Sequence, residues 1–177
     1  TINVCNFAIS RCGEDNSQLS NKMKRIKGQV LFLRGLSYYN LVGYYQNPPL
    51  ITDYATYSSL DGLYTTNSTY DNVLDQVEKD FHEAMELLPS RDEGGEWAGG
   101  RATCGAAAGY YARALMMRQK YSDALTVLKD IIGKKYGTYR LMSNYGDNFR
   151  EGSAYENNAE SLFEVQYLDY GAQGTDD

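Results

Sequence analysis

The side chains of this chain best suited to recognising a ligand are its aromatic rings. The sequence carries 17 tyrosines against 5 phenylalanines and 1 tryptophan, so most of its rings combine a flat apolar face with a hydroxyl. Such rings can stack on the flat apolar face of a ligand, while amides and carboxylates hydrogen-bond its polar groups. The candidate ligand-binding residues are Tyr44, Tyr45, Asn47, Tyr54, Tyr57 and Trp97.

Trp97 is the first of these candidates because of its surroundings. It lies in a glycine-rich segment, residues 90–100 (SRDEGGEWAGG), where an exposed indole would be an apolar surface in need of a partner. The alternative is that the ring folds back beneath its own loop. Tryptophan is on average a highly buried residue, so both interpretations stay open, with the second the more frequent arrangement.

No arrangement of ionisable residues predicts catalysis. The single histidine, His82, follows the core position Phe81 in a predicted helix, so its ring is expected at a solvent-facing edge. The carboxylates show no spacing typical of an acid–base pair, and no glycine loop joins a strand to a helix to hold a phosphate. Asp147, Asn148 and Glu151 lack the spacing of a calcium loop. We therefore expect a protein that is not an enzyme and that has no metal and no cofactor.

Charge, cysteine content and the lengths of the apolar runs argue against nucleic-acid-binding, metal-binding, disulfide-bonded and membrane-spanning proteins. A net charge of −6 and a pI near 4.8 disfavour nucleic acid as a partner. The most basic stretch, expected to be a solvated helix face, contains Lys22, Lys24, Arg25 and Lys27. Cys5, Cys12 and Cys104 form neither a metal motif nor an even disulfide framework, so buried free thiols are expected. No apolar run approaches the roughly 20 residues of a membrane-spanning helix.

Apolar spacing predicts a mainly α chain with long loops. The predicted helices cover residues 2–12, about 21–45, 70–88, 102–118 and 121–133. Prolines at Pro48 and Pro89 end two of them, because proline lacks a backbone donor and disfavours helix in the preceding residue. Residues 50–69 and 90–100 are predicted loops. Residues 161–167 alternate loosely between apolar and polar types and predict a short strand near the C-terminus.

The clearest local unit is a helix pair at 102–133. The two residues between its helices, Gln119 and Lys120, allow only an antiparallel hairpin. Alanines line the first helix, and the second is expected to pack through one apolar face formed by Tyr121, Ala124, Leu125, Leu128, Ile131 and Ile132. This pattern is typical of tetratricopeptide helix pairs. We predict a single helical-repeat domain over 1–177, with an irregular segment 134–177 after the pair.

Four segments, in the same order, resemble the SusD/RagB family of surface glycan-binding lipoproteins. They are residues 26–41 with 48–51 (IKGQVLFLRGLSYYNL, PPLI), 80–89 (DFHEAMELLP), 101–113 (RATCGAAAGYYAR) and 157–166 (NNAESLFEVQ). Each is short, but four in the correct order make chance agreement improbable. The chain departs from the family at Cys104, where lysine is usual, and at Gln46-Asn47 before the prolines. It is also about a third of the typical length, so it is expected to be a fragment of a longer protein.

The resemblance implies a non-enzymatic role at the bacterial cell surface. Such a protein captures an oligosaccharide or polysaccharide and delivers it to a SusC-like TonB-dependent outer-membrane transporter, with this portion supplying mainly the helical scaffold. The resemblance also implies an outer-membrane location through a lipid anchor that is absent from this chain. The alternative is a tetratricopeptide-type protein–protein interaction module. Such a module would continue in helix pairs after Gly133, and this sequence does not.

Overall fold

The computed structural model describes residues 1–57, 59, 61–97, 99–152 and 154–166. Over that part of the chain the protein is mainly α, which confirms the predicted fold class. The helices are α1 (Ile2–Cys12), α2 (Asn21–Tyr45), α3 (Tyr54–Tyr57), α4 (Tyr70–Leu87), α5 (Cys104–Met117) and α6 (Tyr121–Ile132). Within the described residues, β-type pairing is limited to one antiparallel bridge between Pro49 and Asn67.

Hydroxyl side chains begin three of the long helices. Ser20 accepts a hydrogen bond from the Met23 backbone N–H at 3.3 Å, and Thr69 and Thr103 make the corresponding bonds at the starts of α4 and α5. A cap of this kind contributes about 1 kcal/mol, since it satisfies a backbone donor that the helix leaves unpaired. Helix α2 ends at Tyr45, three residues before Pro48, as predicted. The predicted helix bounds are therefore confirmed to within two residues.

The long helices pack in chain order, α1 on α2, α2 on α4, α4 on α5 and α5 on α6. Neighbours run in opposite directions, as the tight turn at Gln119-Lys120 requires of α5 and α6. Gln119 adopts a positive φ of 59° in that turn, and the Lys120 N–H donates to the Leu115 carbonyl at 2.9 Å. The array is thus built from antiparallel helix pairs of the tetratricopeptide type.

The core is centred on four rings contributed by α2, α4, α5 and the C-terminal segment. Phe32 lies 5.7 Å from Phe81, 5.6 Å from Tyr110 and 4.9 Å from Phe163 between ring centroids. Gly35 permits the close approach of α4 to α2, because a Cβ atom at this position would lie 3.2 Å from the Phe81 ring. These contacts make α2, α4 and α5 one packed unit.

The outer face of α6 differs from the prediction. Ala124 and Val127 are buried against α5, but the stripe formed by Tyr121, Leu125, Leu128 and Ile132 is exposed, with Ile132 81 % accessible. The expectation that this stripe packs was wrong because α6 is apolar on two sides. The 3.6-residue period shows that a helix has an apolar face, and cannot say which of two such faces has a neighbour.

Residues 134–152 and 154–166 contain no α-helix and are organised by side-chain hydrogen bonds. Glu160 accepts bonds from the Met142 N–H and from the Asn148 amide, and Asn158 accepts bonds from two backbone N–H groups. Residues 161–166 form no strand, because no described segment offers them a backbone ladder; Phe163 instead packs its ring on Phe32. The predicted short strand is not found there, and its last residue, Tyr167, lies outside the described residues.

The three cysteines are free and buried, as expected. Burial raises the pKa of Cys104 to about 11 and also raises the pKa values of Cys5 and Cys12. Since the thiolate is the reactive form, we expect no thiol to react with an aromatic disulfide reagent at pH 8 under native conditions. All three should react in guanidinium. Rapid release of one equivalent of product from the folded protein would contradict this prediction.

Candidate functional site

The alternation of helix direction places Tyr44, Tyr45 and Asn47 at one end of the array and Trp97 at the opposite end. At one end, α2 and α5 finish and α4 and α6 begin; Arg118 and Lys120 pair there with Glu78. At the other end α2 begins, and its Arg25 pairs with Glu93 at 2.6 Å. We term the first the tyrosine end, after Tyr44, Tyr45 and Tyr64, and the second the tryptophan end, after Trp97.

The tyrosine end presents uncovered aromatic rings. Tyr44 and Tyr45, the last two residues of α2, are 83 % and 71 % exposed, and the exposed Asn47 follows them. Gln46 has a φ of 60°, which turns the chain sharply after the helix. Tyr64 is 84 % exposed and precedes the segment that pairs with Pro48 and Pro49. Rings and an amide in this setting are suited to sugar stacking and hydroxyl recognition.

A hydrogen-bond network fixes the chain that leaves the tyrosine end. The Tyr38 hydroxyl donates to the Ile51 carbonyl and accepts from the Ile51 N–H, both at 2.8 Å. The Asn6 amide donates to the same carbonyl at 2.8 Å, and Arg34 donates to the Thr52 carbonyl at 3.0 Å. This buried support holds the backbone beyond the exposed rings in one conformation, as a preformed binding surface requires.

A buried ion pair lies at the centre of that network. Arg34 donates two hydrogen bonds to Asp80, at 2.8 and 2.7 Å, and a third to Asn6 at 3.0 Å; Gln76 also donates to Asp80 at 2.7 Å. Burial alone would lower the pKa of Arg34, but its bonds to Asp80 and the charge of that carboxylate raise it above its ordinary value. The pair therefore joins α1, α2 and α4 through side chains whose polar atoms are hydrogen-bonded to one another.

Tyr54 belongs to a different surface from Tyr44 and Tyr45. It is partly exposed on the short helix α3, where its ring meets Phe7 of α1 edge-on at 5.0 Å. It also lines a groove of about 1120 Å³ between α1 and α4. Tyr57 ends the same short helix, but its side chain lies outside the described part of the chain.

The floor of the α1–α4 groove is polar and internally satisfied. Lys27 is buried and binds the Gly13 carbonyl at 3.1 Å, Asn16 at 2.8 Å and Glu83 at 3.0 Å. Burial would raise the pKa of Glu83, but its bonds to Asn16 and Lys27 hold it below its ordinary value. These charges hold residues 13–16, which follow α1, against α2, so a ligand in the groove would contact mainly its rim.

Trp97 is buried, which favours the interpretation in which its ring folds back beneath its own loop. Only 7 % of the residue is accessible, and the guanidinium groups of Arg25 and Arg101 lie 5.4 and 5.6 Å from its ring. The indole therefore offers no open face for a sugar. It lines a groove of about 730 Å³ that runs beside the first turns of α2.

The two ends are too far apart to act as one small site. Arg25 and Tyr44 are nineteen residues apart on one continuous helix, which corresponds to about 28 Å at 1.5 Å per residue. The predicted candidates thus separate into three groups: Tyr44, Tyr45 and Asn47; Tyr54; and Trp97. Sequence reasoning did not select Tyr64, because a lone tyrosine in a loop of turn-forming residues carries no periodic pattern.

The described residues hold no group of three or more histidine, cysteine, aspartate or glutamate side chains placed to bind a metal ion. His82 is half exposed, as predicted, and its ring contacts Tyr111 edge-on at 5.4 Å. Over the same described part of the chain, no helix is both long and apolar enough to cross a membrane.

Comparisons with known proteins point to one family. Residues 1–116 match the SusD-like family, whose description is starch-binding and associating with the outer membrane. A SusD-like carbohydrate-binding protein from Bacteroides fragilis is 26 % identical, with a TM-score of 0.81 over 94 % of this chain and 31 % of its own. A second SusD-like protein from the same species is 26 % identical, with a TM-score of 0.77 over the same shares.

A laminarin-binding SusD-like protein is also similar. It is 25 % identical, with a TM-score of 0.68 over 84 % of this chain and 32 % of its own. The chain thus spans about a third of the length of these solved structures. No curated protein sequence matches it.

Proposed function

The chain belongs to the SusD-like family of carbohydrate-binding proteins that associate with the outer membrane, and from this premise we propose that it takes part in capturing oligosaccharides at the bacterial cell surface. The captured glycan is passed, without cleavage of a bond, to a SusC-like TonB-dependent transporter. This portion supplies mainly the helical scaffold, together with one glycan-contacting surface at the tyrosine end.

The observation that carries this proposal is the exposure of Tyr44 and Tyr45 on a rigid support. Large rings that are more than two-thirds accessible are an apolar cost unless they meet a partner. Their helix is fixed below by the Arg34–Asp80 pair, and the chain after them is fixed by Tyr38. Binding there would cost little ordering entropy, since the tyrosines have few rotatable bonds.

The proposed mechanism uses stacking for affinity and hydrogen bonds for orientation. The rings of Tyr44 and Tyr45 lie against sugar C–H faces, and their hydroxyls together with the Asn47 amide bind sugar hydroxyls. Tyr54 and Trp97 stay secondary candidates, because Phe7 packs on the first and two arginines cover the second. None of these groups is placed to attack a glycosidic bond, so binding is the expected activity.

The glycan is tested first among neutral glucans. The family is described as starch-binding, and one similar structure binds laminarin, so both polymers are reasonable ligands for this chain. In affinity electrophoresis we expect migration to be retarded by amylopectin or laminarin and not by polyacrylamide alone. Co-purification from outer membranes with a TonB-dependent transporter tests delivery separately. Retardation by no glycan, together with co-purification with a cytoplasmic protein, would contradict the proposal.

A protein–protein interaction module remains the alternative, and one observation favours it. The exposed stripe of Tyr121, Leu125, Leu128 and Ile132 on α6 is the kind of apolar helix face that another protein can cover. This alternative predicts that charged substitutions on the exposed face of α6 abolish binding of the partner protein. Glycan capture at the tyrosine end predicts that such substitutions leave glycan affinity unchanged.

A further inference from the structure

The groove at the tryptophan end has a chemistry of its own. It occupies about 730 Å³ beside the first turns of α2, within the usual size range of small-ligand sites, about 300–1,000 Å³. The residues that matter for binding are three cations, Lys22, Arg25 and Arg101, and three apolar side chains, Ile26, Val30 and Trp97. The sequence pattern suggested only a solvated basic face here. In the structure these basic residues do not share one surface: Lys27 is buried and binds the Gly13 carbonyl, whereas Lys22 and Arg25 line the groove.

The described charged side chains that line the groove are all basic, although the chain as a whole is acidic. The chain carries a net charge of −6, yet no described carboxylate lines this groove. Glu93 reaches Arg25 from outside at 2.6 Å, with both side chains more than a third exposed. Lys22 makes no ion pair with any residue that the structure describes. A concave surface with several cations attracts anions over the distance of a Debye length, about 8 Å in physiological salt.

Trp97 positions two of the cations. The guanidinium groups of Arg25 and Arg101 lie over its ring at 5.4 and 5.6 Å, which holds these long side chains in place by cation–π attraction. A guanidinium has five N–H donors in one plane, so the Arg25 side chain can stack on the ring and still donate from its edge, as it does to Glu93 at 2.6 Å. The buried indole therefore acts by positioning Arg25 and does not itself touch a ligand.

The apolar side of the groove suits a sugar ring. Ile26 is exposed and Val30 is partly buried on the same face of α2, four residues apart. Together they form a short apolar strip beside the cations. A ligand that presents C–H groups to the strip and carboxylates to the cations matches both features at once.

We propose that this groove binds oligosaccharides that carry carboxylates, such as oligomers of uronic acids. The assignment of a glycan rests on the proposed function, whereas the acidic character and the separate location go beyond it. Arg25 exchanges Glu93 for a ligand carboxylate, and Lys22 contacts the ligand at the groove edge. The groove lies about 28 Å from Tyr44, so the two surfaces bind independently or engage distant units of one long chain.

The ion pair between Glu93 and Arg25 predicts that one substitution should raise the affinity for an acidic ligand. Because the Glu93 carboxylate competes with the ligand for Arg25, the Glu93→Gln variant should bind an acidic glycan about threefold more tightly. Lys22→Gln should weaken binding about fivefold, and it disturbs no described contact of the fold. Lys24→Gln removes the same charge on the same helix outside the groove, so it is the matched control and should change affinity by less than about twofold.

The experiment is calorimetric titration of the protein with oligomers of galacturonate, guluronate and glucuronate, and with the methyl esters of the galacturonate oligomers. We expect at least one acidic oligomer to bind, with affinity that falls as salt rises, and the esters to bind about tenfold more weakly. Tyr44→Ala/Tyr45→Ala should retain this binding, which separates the site from the tyrosine end.

Three results would overturn the proposal: no binding of any acidic oligomer, equal binding of acid and ester, or weaker binding by Glu93→Gln. Preferential binding to phosphatidylglycerol vesicles over every uronate would also overturn it, since the groove would then serve an anionic lipid. Failure of neutral glucans to bind contradicts the glycan-contacting surface proposed at the tyrosine end and leaves these acid–ester comparisons unaffected.

Discussion

Replacing Asp80 by alanine is expected to lower the free energy of unfolding by about 3–5 kcal/mol. The carboxylate is buried and receives two hydrogen bonds from Arg34 and one from Gln76, so its removal leaves the Arg34 guanidinium buried without the carboxylate it pairs with. The loss is large because the desolvation of a charge is no longer offset. The measurement is chemical denaturation followed by far-ultraviolet circular dichroism.

Two further variants test whether the loss of stability comes from the buried Arg34–Asp80 pair. Glu86→Gln, on the exposed side of the same helix, should change stability by less than about 0.5 kcal/mol. The double variant Arg34→Met/Asp80→Leu removes both charges at once and should cost less than Asp80→Ala alone. The loss of stability in the double variant is compared with the summed losses of Arg34→Met and Asp80→Leu. A loss equal to that sum would show that the two side chains are not energetically coupled and would contradict the prediction.

The second large effect is expected at Phe81, where alanine should cost about 3–5 kcal/mol. The ring is fully buried and contacts Phe32 at 5.7 Å, stacks on Tyr110 at 5.4 Å and lies 6.5 Å from Tyr39. Truncation leaves a cavity where α2, α4 and α5 meet, and the surrounding helices cannot collapse fully into it.

Phe149 provides a matched control for this prediction. It is 72 % exposed, so Phe149→Ala removes the same atoms with a cost below about 1 kcal/mol. Thermal unfolding of both variants should show a clear drop in midpoint for Phe81→Ala only. Equal midpoints for the two variants would mean that the three-helix junction does not carry the stability of the fold.

The helices could be predicted because local chemistry determines their ends. Helix α2 starts at Asn21 because the Ser20 hydroxyl caps it, and it ends before Pro48, which cannot donate a backbone hydrogen bond. The family motif also contains Arg34 and Asp80, although nothing in their spacing reveals that they meet. Their 46-residue separation is closed only by the packing of α4 on α2.

The candidate binding surfaces were less predictable, because they also depend on how distant segments pack together. The glycines around Trp97 suggest a loop, but only the folded arrangement brings Arg25 and Arg101 over its ring. By contrast, the exposure of Tyr44 and Tyr45 follows from their position at a helix end, beyond the last buried residue of α2, Val42. A strand in residues 161–166 would need a partner ladder, and alternation within one segment does not supply it.

The most direct test of glycan capture at the tyrosine end is a calorimetric titration with laminarin and maltodextrin oligosaccharides. Wild-type protein is expected to bind at least one of them. Tyr44→Ala/Tyr45→Ala should weaken that binding at least about tenfold, whereas Tyr121→Ala, which removes an exposed tyrosine of α6, should leave it within about twofold. Equal affinity of the double variant and the wild-type protein would contradict the account.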